Sequence, residues 1–250
     1  MKGLIVNADD YNFTPGVCRG IIRAFQDGIV RSTSIMINMT GIEKALELLK
    51  SAPGLAVGIH LNITRGKSIS PPDIIPTLVN REGKFRPHHK TRIATVDTGE
   101  LELELTAQIE KAINLGIEPS HLDSHHHIHS FPDYTDVYIR LAKKYGLPMR
   151  STSRAMSEKI INAGVKTAQN FIGEFYDKGV TLENLLGLLS QIPEGETVEL
   201  MCHPGEADNE LREKSSYSEK REKELDILTT DGLEERLKEM GFQLITYRDL

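Results

Sequence analysis

Five of the chain's nine histidines fall within nine consecutive residues, HLDSHHHIH at 121–129. Its internal position rules out an affinity tag, and packing seldom calls for such a cluster; the bland alternative is a hydrogen-bonded polar ladder at a strand end. Neutral imidazoles bind divalent metals through one ring nitrogen, and the other nitrogen usually needs a partner to fix the tautomer. In an extended strand, alternation puts His121, Asp123, His125 and His127 on one side and His126 on the other. One or two of them can then reach a single metal, and the rest remain to orient the rings. Asp9 and Asp10 are a second candidate, because adjacent carboxylates repel unless a cation or a shared proton relieves them. A helix cap ahead of Pro15 or an Asx turn would account for one of them equally well. His60 closes the apolar stretch GIHLN, and His203, in CHPG, is followed at once by a Pro-Gly turn. Either one alone reads as a core or loop histidine.

These residues need elements to carry them. An apolar run at 4–6 ends at the Asp9-Asp10 pair and reads as a buried strand; Val17, Ile21, Ile22 and Phe25 follow at helical spacing as far as Gly28. The alternation continues, with strands expected at 34–38, 55–62, the start of 121–128, 147–150, 198–202 and 242–247. Helices are expected at 42–50, 101–115, 134–145, 181–191 and 232–240. Residues 162–179 fit neither pattern. Strands alternating with helices imply parallel strands with right-handed crossovers, and the count is near eight. The expected fold is therefore α/β, a distorted (β/α) barrel in a single domain spanning 1–250. In it Asp9, Asp10, His60, His125 and His203 all lie at C-terminal strand ends, where barrel active sites are assembled. One carboxylate and two imidazoles leave metal positions open, the pattern of a catalytic rather than a structural site. Residues 64–99, rich in Pro, Gly and charge, are expected as a long loop or excursion over the barrel mouth. The charged run 210–224 reads as a solvated helix face with no chemical role. Arg150, after a predicted strand, could pair with Asp9, although its type favours the surface.

Composition narrows the function classes. A net charge of −6 with dispersed basic residues offers nucleic acid no footprint. There is no apolar stretch long enough to span a membrane and no export signal at the start, so a soluble, cytoplasmic protein is expected. Two distant cysteines, Cys18 and Cys202, suit a reducing compartment and give no zinc or disulfide framework.

IVNADD at 5–10, RSTS at 31–34, GIHLN at 58–62, HLDSHHHIH at 121–129 and CHPG at 202–205 together resemble the YdjC family of carbohydrate deacetylases, which includes the chitooligosaccharide (diacetylchitobiose) deacetylases. The resemblance covers nearly the whole chain, and the second histidine motif is its most specific part. It implies a distorted barrel related to polysaccharide deacetylases, one divalent ion held by Asp10, His60 and His125, Asp9 as the catalytic carboxylate and His203 as the acid. It also implies removal of the N-acetyl group from a β-linked N-acetylglucosamine oligosaccharide, a step of chitin or polysaccharide degradation. Oxygen and nitrogen ligands admit zinc, magnesium, manganese or cobalt; softness favours zinc and the family allows magnesium. The expected partner is a small acetylated amino-sugar oligosaccharide, and a homodimer is left open. Tyr11-Asn12 stand where family members commonly carry Phe-Gly, which puts the shape of that loop and the substrate fit in question. Two other readings compete: a metal-dependent phosphoesterase, for which a Gly-rich phosphate cradle and a basic clamp are missing, and a non-catalytic metal- or sugar-binding protein, which would need neither Asp9 nor His203.

Overall fold

A computed structural model describes residues 1–87 and 96–250. Seven parallel strands form one curled sheet: β1 (Lys2–Tyr11), β2 (Ser32–Ile35), β3 (Ala56–Leu61), β4 (Leu122–Ser124), β5 (Asn170–Ile172), β6 (Thr197–Cys202) and β7 (Phe242–Ile245). Their spatial order is β4-β3-β2-β1-β6-β5. The lower half of β1 also pairs with β7 over Lys2 to Ile5, and its upper half pairs with β2 from Asn7 to Tyr11. β2 and β3 are buried at every position, as strands covered on both faces must be; β3 (AVGIHL) reads as a near-continuous apolar run, whereas β2 (STSI) buries the hydroxyl side chains of Ser32, Thr33 and Ser34.

Helices fill the crossovers. In chain order they are α1 (Pro15–Gln26), α2 (Ile42–Leu49), α3 (Thr98–Asn114), α4 (Pro132–Tyr145), α5 (Arg154–Asn162), α6 (Leu182–Ser190), α7 (Asn209–Lys214), α8 (Glu219–Leu228) and α9 (Leu233–Glu239). α1 starts where Thr14 accepts the Val17 N–H and Pro15 presets the first turn. Between β4 and β5 the curl is carried by extended chain. Arg150 N–H donates to Leu122 O and Met149 N–H to Lys166 O, so the strand expected at 147–150 survives as a single bridge to β4. The result is the distorted barrel expected from the alternation, with residues 162–179 contributing the three-residue β5.

The excursion after β3 is tethered rather than loose. Short antiparallel bridges join Lys67 to Lys84 and Val79 to Phe85, and Glu104 of α3 accepts the backbone N–H groups of Ile69 and Ser70. The expected excursion at 64–99 includes 88–95, which lie outside the described residues. The run 210–224 departs from its reading as a solvated face. It is split between α7 and α8, and α8 buries Arg221 and Glu224.

Because every strand is parallel, all C-terminal ends open on one face. Gly20 fixes the height of the β6 exit there: a Cβ on Gly20 would lie 2.4 Å from Gly205 Cα, so only glycine lets α1 pack against the CHPG turn.

Candidate active site

Asp9, Asp10, His60, His125 and His203 line one cavity of about 330 Å³ at that face. β1 runs through the acidic pair to Tyr11 rather than stopping before it. Two successive strand residues should point to opposite faces. Here the β1–β2 register shifts between Ala8 and Tyr11 and Asp10 adopts φ 71°, so both carboxylates reach the cavity. β3 supplies His60, β4 ends just before His125, and β6 ends just before His203.

The extended conformation of the histidine cluster ends at Ser124. His126 and His127 have φ of 58° and 51°, both left-handed. The alternation expected across the cluster therefore fails at this point, and His126 and His127 both line the cavity beside His125. Among the described residues, five besides glycine have positive φ: Asp10, Asn12, His126, His127 and Asp177. Three line the cavity and the other two adjoin Phe13 and Tyr176, which do. Backbone strain of about 1–3 kcal/mol per residue concentrates where function holds it.

One ligand atom each from Asp10, His60 and His125 lies within 4.8 Å of the others. His60 Nε2 is 3.3 Å and His125 Nδ1 is 3.0 Å from Asp10 Oδ1. Neighbouring ligands at right angles, each about 2.1 Å from an ion, would be about 3 Å apart, so the spacing fits one divalent cation. The outer partner of His60 fits as well. His60 Nδ1 is 2.9 Å from Asp123 Oδ1, its register neighbour on β4, and Ser34 of the RSTS motif donates to Asp123 Oδ2 at 2.8 Å. This carboxylate–imidazole arrangement fixes the ring and leaves Nε2 facing Asp10. His125 Nε2 is buried with no protein partner.

Charge points the same way. The buried carboxylates Asp9, Asp10, Asp123 and Glu199 outnumber the buried guanidinium groups Arg150 and Arg221. Burial alone would lower the His60 pKa, but the Asp123 and Asp9 carboxylates outweigh it and raise it to about 10. A proton thus sits where a cation is favoured. Arg150, fully buried rather than at the surface, donates to both oxygens of Asp9 and also to Glu199. It outweighs burial and holds Asp9 below the usual carboxylate range. Arg221 donates to Asp10 Oδ2 at 2.6 Å and, against burial, helps hold that carboxyl well below its ordinary value. Burial pulls His203 down to about 4, with Asp9 and Asp10 opposing. Burial raises the Glu224 carboxyl to about 7, and this group accepts the His203 backbone N–H and the Tyr217 hydroxyl.

Arg221, Glu224 and Glu199 escaped the reading of the sequence. Glu199 had a signal, a lone acid inside the apolar strand TVELMC. Arg221 and Glu224 had none, because α8 reads EKREKELDIL with acids and bases on all sides.

Fold and site define a curled parallel α/β barrel with a carboxylate–imidazole cluster at the strand C-termini. Residues 3–239 match the family described as YdjC-like protein. The chain is 43% identical to a carbohydrate deacetylase of Thermoanaerobacter pseudethanolicus over 247 residues, 99% of this chain and 98% of that one. A crystal structure of an Enterococcus faecalis protein, named as a candidate cellobiose-phosphate cleavage protein, superposes with a TM-score of 0.93 at 36% identity, covering 99% of this chain and 98% of the other. A family 4 carbohydrate esterase from Streptomyces lividans shares the fold, with a TM-score of 0.50 at 11% identity over 96% of this chain and 90% of that one. The chain belongs to the YdjC-like family. No helix among the described residues is long and apolar enough to cross a membrane.

Proposed function

We propose that the protein is a metal-dependent carbohydrate N-deacetylase that releases acetate from N-acetylglucosamine-containing oligosaccharides such as diacetylchitobiose. The observation that carries this reading is the convergence, in one cavity, of a three-residue ligand group with a separate ionised carboxylate and a facing imidazole. A relative named carbohydrate deacetylase that aligns over 99% of the chain supports the sugar substrate. Asp10, His60 and His125 are assigned to one divalent ion, zinc or magnesium. The whole chain, 1–250, acts as one catalytic domain and works in the cytoplasm, in the breakdown of chitin-derived sugars.

A divalent ion held there supplies Lewis acidity, polarising the acetamide carbonyl and lowering the pKa of water. Asp9 is the base. Arg150 keeps it ionised and fixes the plane of its carboxylate, so it can take the proton of the attacking water. The carbonyl carbon gains the water oxygen, the C–N bond breaks, and the departing nitrogen needs a proton. His203 lines the same cavity and is assigned that delivery. Its ring is neutral at rest because burial dominates, so it must be charged in the complex, and the Asp9 and Asp10 carboxylates favour that form.

The test is a substrate panel of N-acetylated chitobiose, p-nitrophenyl phosphate and a no-substrate control, each with and without chelator. Acetate release confined to the sugar and abolished by chelator supports the assignment. Phosphate release, or metal and sugar binding with no turnover, overturns it.

A further inference from the structure

We propose that Tyr176 is the platform on which the apolar face of a substrate pyranose ring stacks beside the reacting acetamide. The proposal rests on the deacetylase reading and names a binding surface for its sugar. Tyr176 is 42% exposed, and of the large hydrophobic residues exposed in the described chain it is the one that lines the cavity holding Asp9 and His203.

The ring is held in one orientation. It lies flat on Tyr217, with centroids 4.2 Å apart and planes 12° apart, and its edge approaches His203 at 5.4 Å and 66°. Tyr217 is itself anchored, donating its hydroxyl to buried Glu224 and accepting the Asp177 backbone N–H at 3.1 Å. Asp177 follows with φ 53°, a left-handed turn for a residue other than glycine, and forms an ion pair with Lys220. With one face on Tyr217, the exposure of Tyr176 belongs to the opposite face and the rim.

A pyranose ring presents C–H bonds on one face and hydroxyls around its edge. The electron-rich face of an aromatic ring suits the C–H side, and a rigid two-torsion side chain loses little entropy on binding. Hydroxyl partners are available in the same cavity: Arg65, whose guanidinium lies 5.0 Å from the Phe13 ring centre, and Ser215. A flat apolar face next to charged groups is what an amino-sugar ring requires.

The experiment compares wild type, Tyr176→Phe and Tyr176→Ala for acetate release from N-acetylated chitobiose, and measures binding of the same disaccharide by calorimetry. For Tyr176→Ala, KM and the calorimetric Kd rise about tenfold, the scale of an aromatic stacking contact, while kcat stays within about twofold. Tyr176→Phe keeps the ring and stays near wild type. Three results overturn the platform: unchanged KM and Kd in Tyr176→Ala, a loss in Tyr176→Phe equal to that in Tyr176→Ala, or a loss confined to kcat. Calorimetry separates the two readings. Weaker binding by Tyr176→Ala without acetate release from any variant keeps the platform and removes the reaction; wild type that neither binds nor hydrolyses the sugar removes both.

Discussion

Arg150 holds both carboxylate oxygens of Asp9, with Nη1 2.7 Å from Oδ2 and Nη2 2.6 Å from Oδ1. The same guanidinium turns Nε to Glu199 at 2.9 Å and Nη1 to Asp123 at 3.1 Å, so one buried cation organises three carboxylates. Removing it leaves them uncompensated. Arg150→Met is expected to cost about 3–5 kcal/mol of stability, the scale for breaking a buried pair, read by chemical denaturation. Arg150→Lys restores the charge but not the fork; it is expected to fold while losing about 10²-fold in turnover through a misplaced base. Wild-type turnover in Arg150→Lys would show that the orientation of Asp9 is unimportant.

Asp9 and Asp10 carry the same side chain but should fail differently. Asp9→Asn keeps bound metal and loses roughly 10²- to 10⁴-fold in turnover, as expected when a general base is removed. Asp10→Asn, His60→Ala and His125→Ala lose metal and activity together, and excess metal restores part of the rate in Asp10→Asn. Elemental analysis alongside turnover decides this; full metal occupancy in both histidine variants, or metal rescue of Asp9→Asn, contradicts the roles assigned.

How much of this was legible follows from burial and pattern. β1, β3 and β6 announced themselves because strands covered on both faces are apolar runs, and polar residues at their ends stand out. Parallel topology then puts Asp9, Asp10, His60, His125 and His203 on one face, so their convergence could be inferred without coordinates. Torsions were not legible: nothing in HHH marks His126 and His127 as left-handed, and strand parity, sound through Ser124, misleads beyond it. Nor were charged partners drawn from a charged background. Arg221 reaches Asp10 from 211 residues away, and its neighbours in α8 hide it.

Gly58 is predicted to be irreplaceable in β3. A Cβ there would lie 2.2 Å from Cε1 of His121, whose ring is sandwiched against Tyr247 at a centroid distance of 4.1 Å. Gly58→Ala should cost about 1–3 kcal/mol by overpacking. Combined with His121→Ala, it should cost less than the two single changes added, because the new methyl enters the space the ring vacates. Additive losses in a denaturation series would show that Gly58 and His121 do not compete for that space.

Acid should destabilise the metal-free fold from neutrality toward about pH 4. Burial, the leading cause in each case, lowers His121, His127 and His203 to about 4. The unfolded chain binds these protons from about pH 6.5 downward while the folded chain refuses them until about pH 4, so stability falls as pH falls through that window. Glu224, raised to about 7 by burial, works in the opposite sense, its contribution being present at low pH and lost as pH rises toward 7. Burial also lowers His125 and His129, and His60, raised to about 10, changes the balance only above about pH 6.5, so the lowered rings set the net sign. Urea midpoints measured with chelator should decline from neutrality toward pH 4; a flat or rising profile contradicts the buried neutral state of these rings.

The central claim is that the cavity removes acetyl groups with the help of a bound divalent ion. Acetate released from N-acetylated chitobiose by the purified protein, measured before chelation, after chelation and after a divalent ion is returned, tests it most directly. The account predicts release, its loss, and its recovery, with one free amine formed per acetate. Acetate release undiminished by chelation, or none from the metal-replete protein, would contradict it.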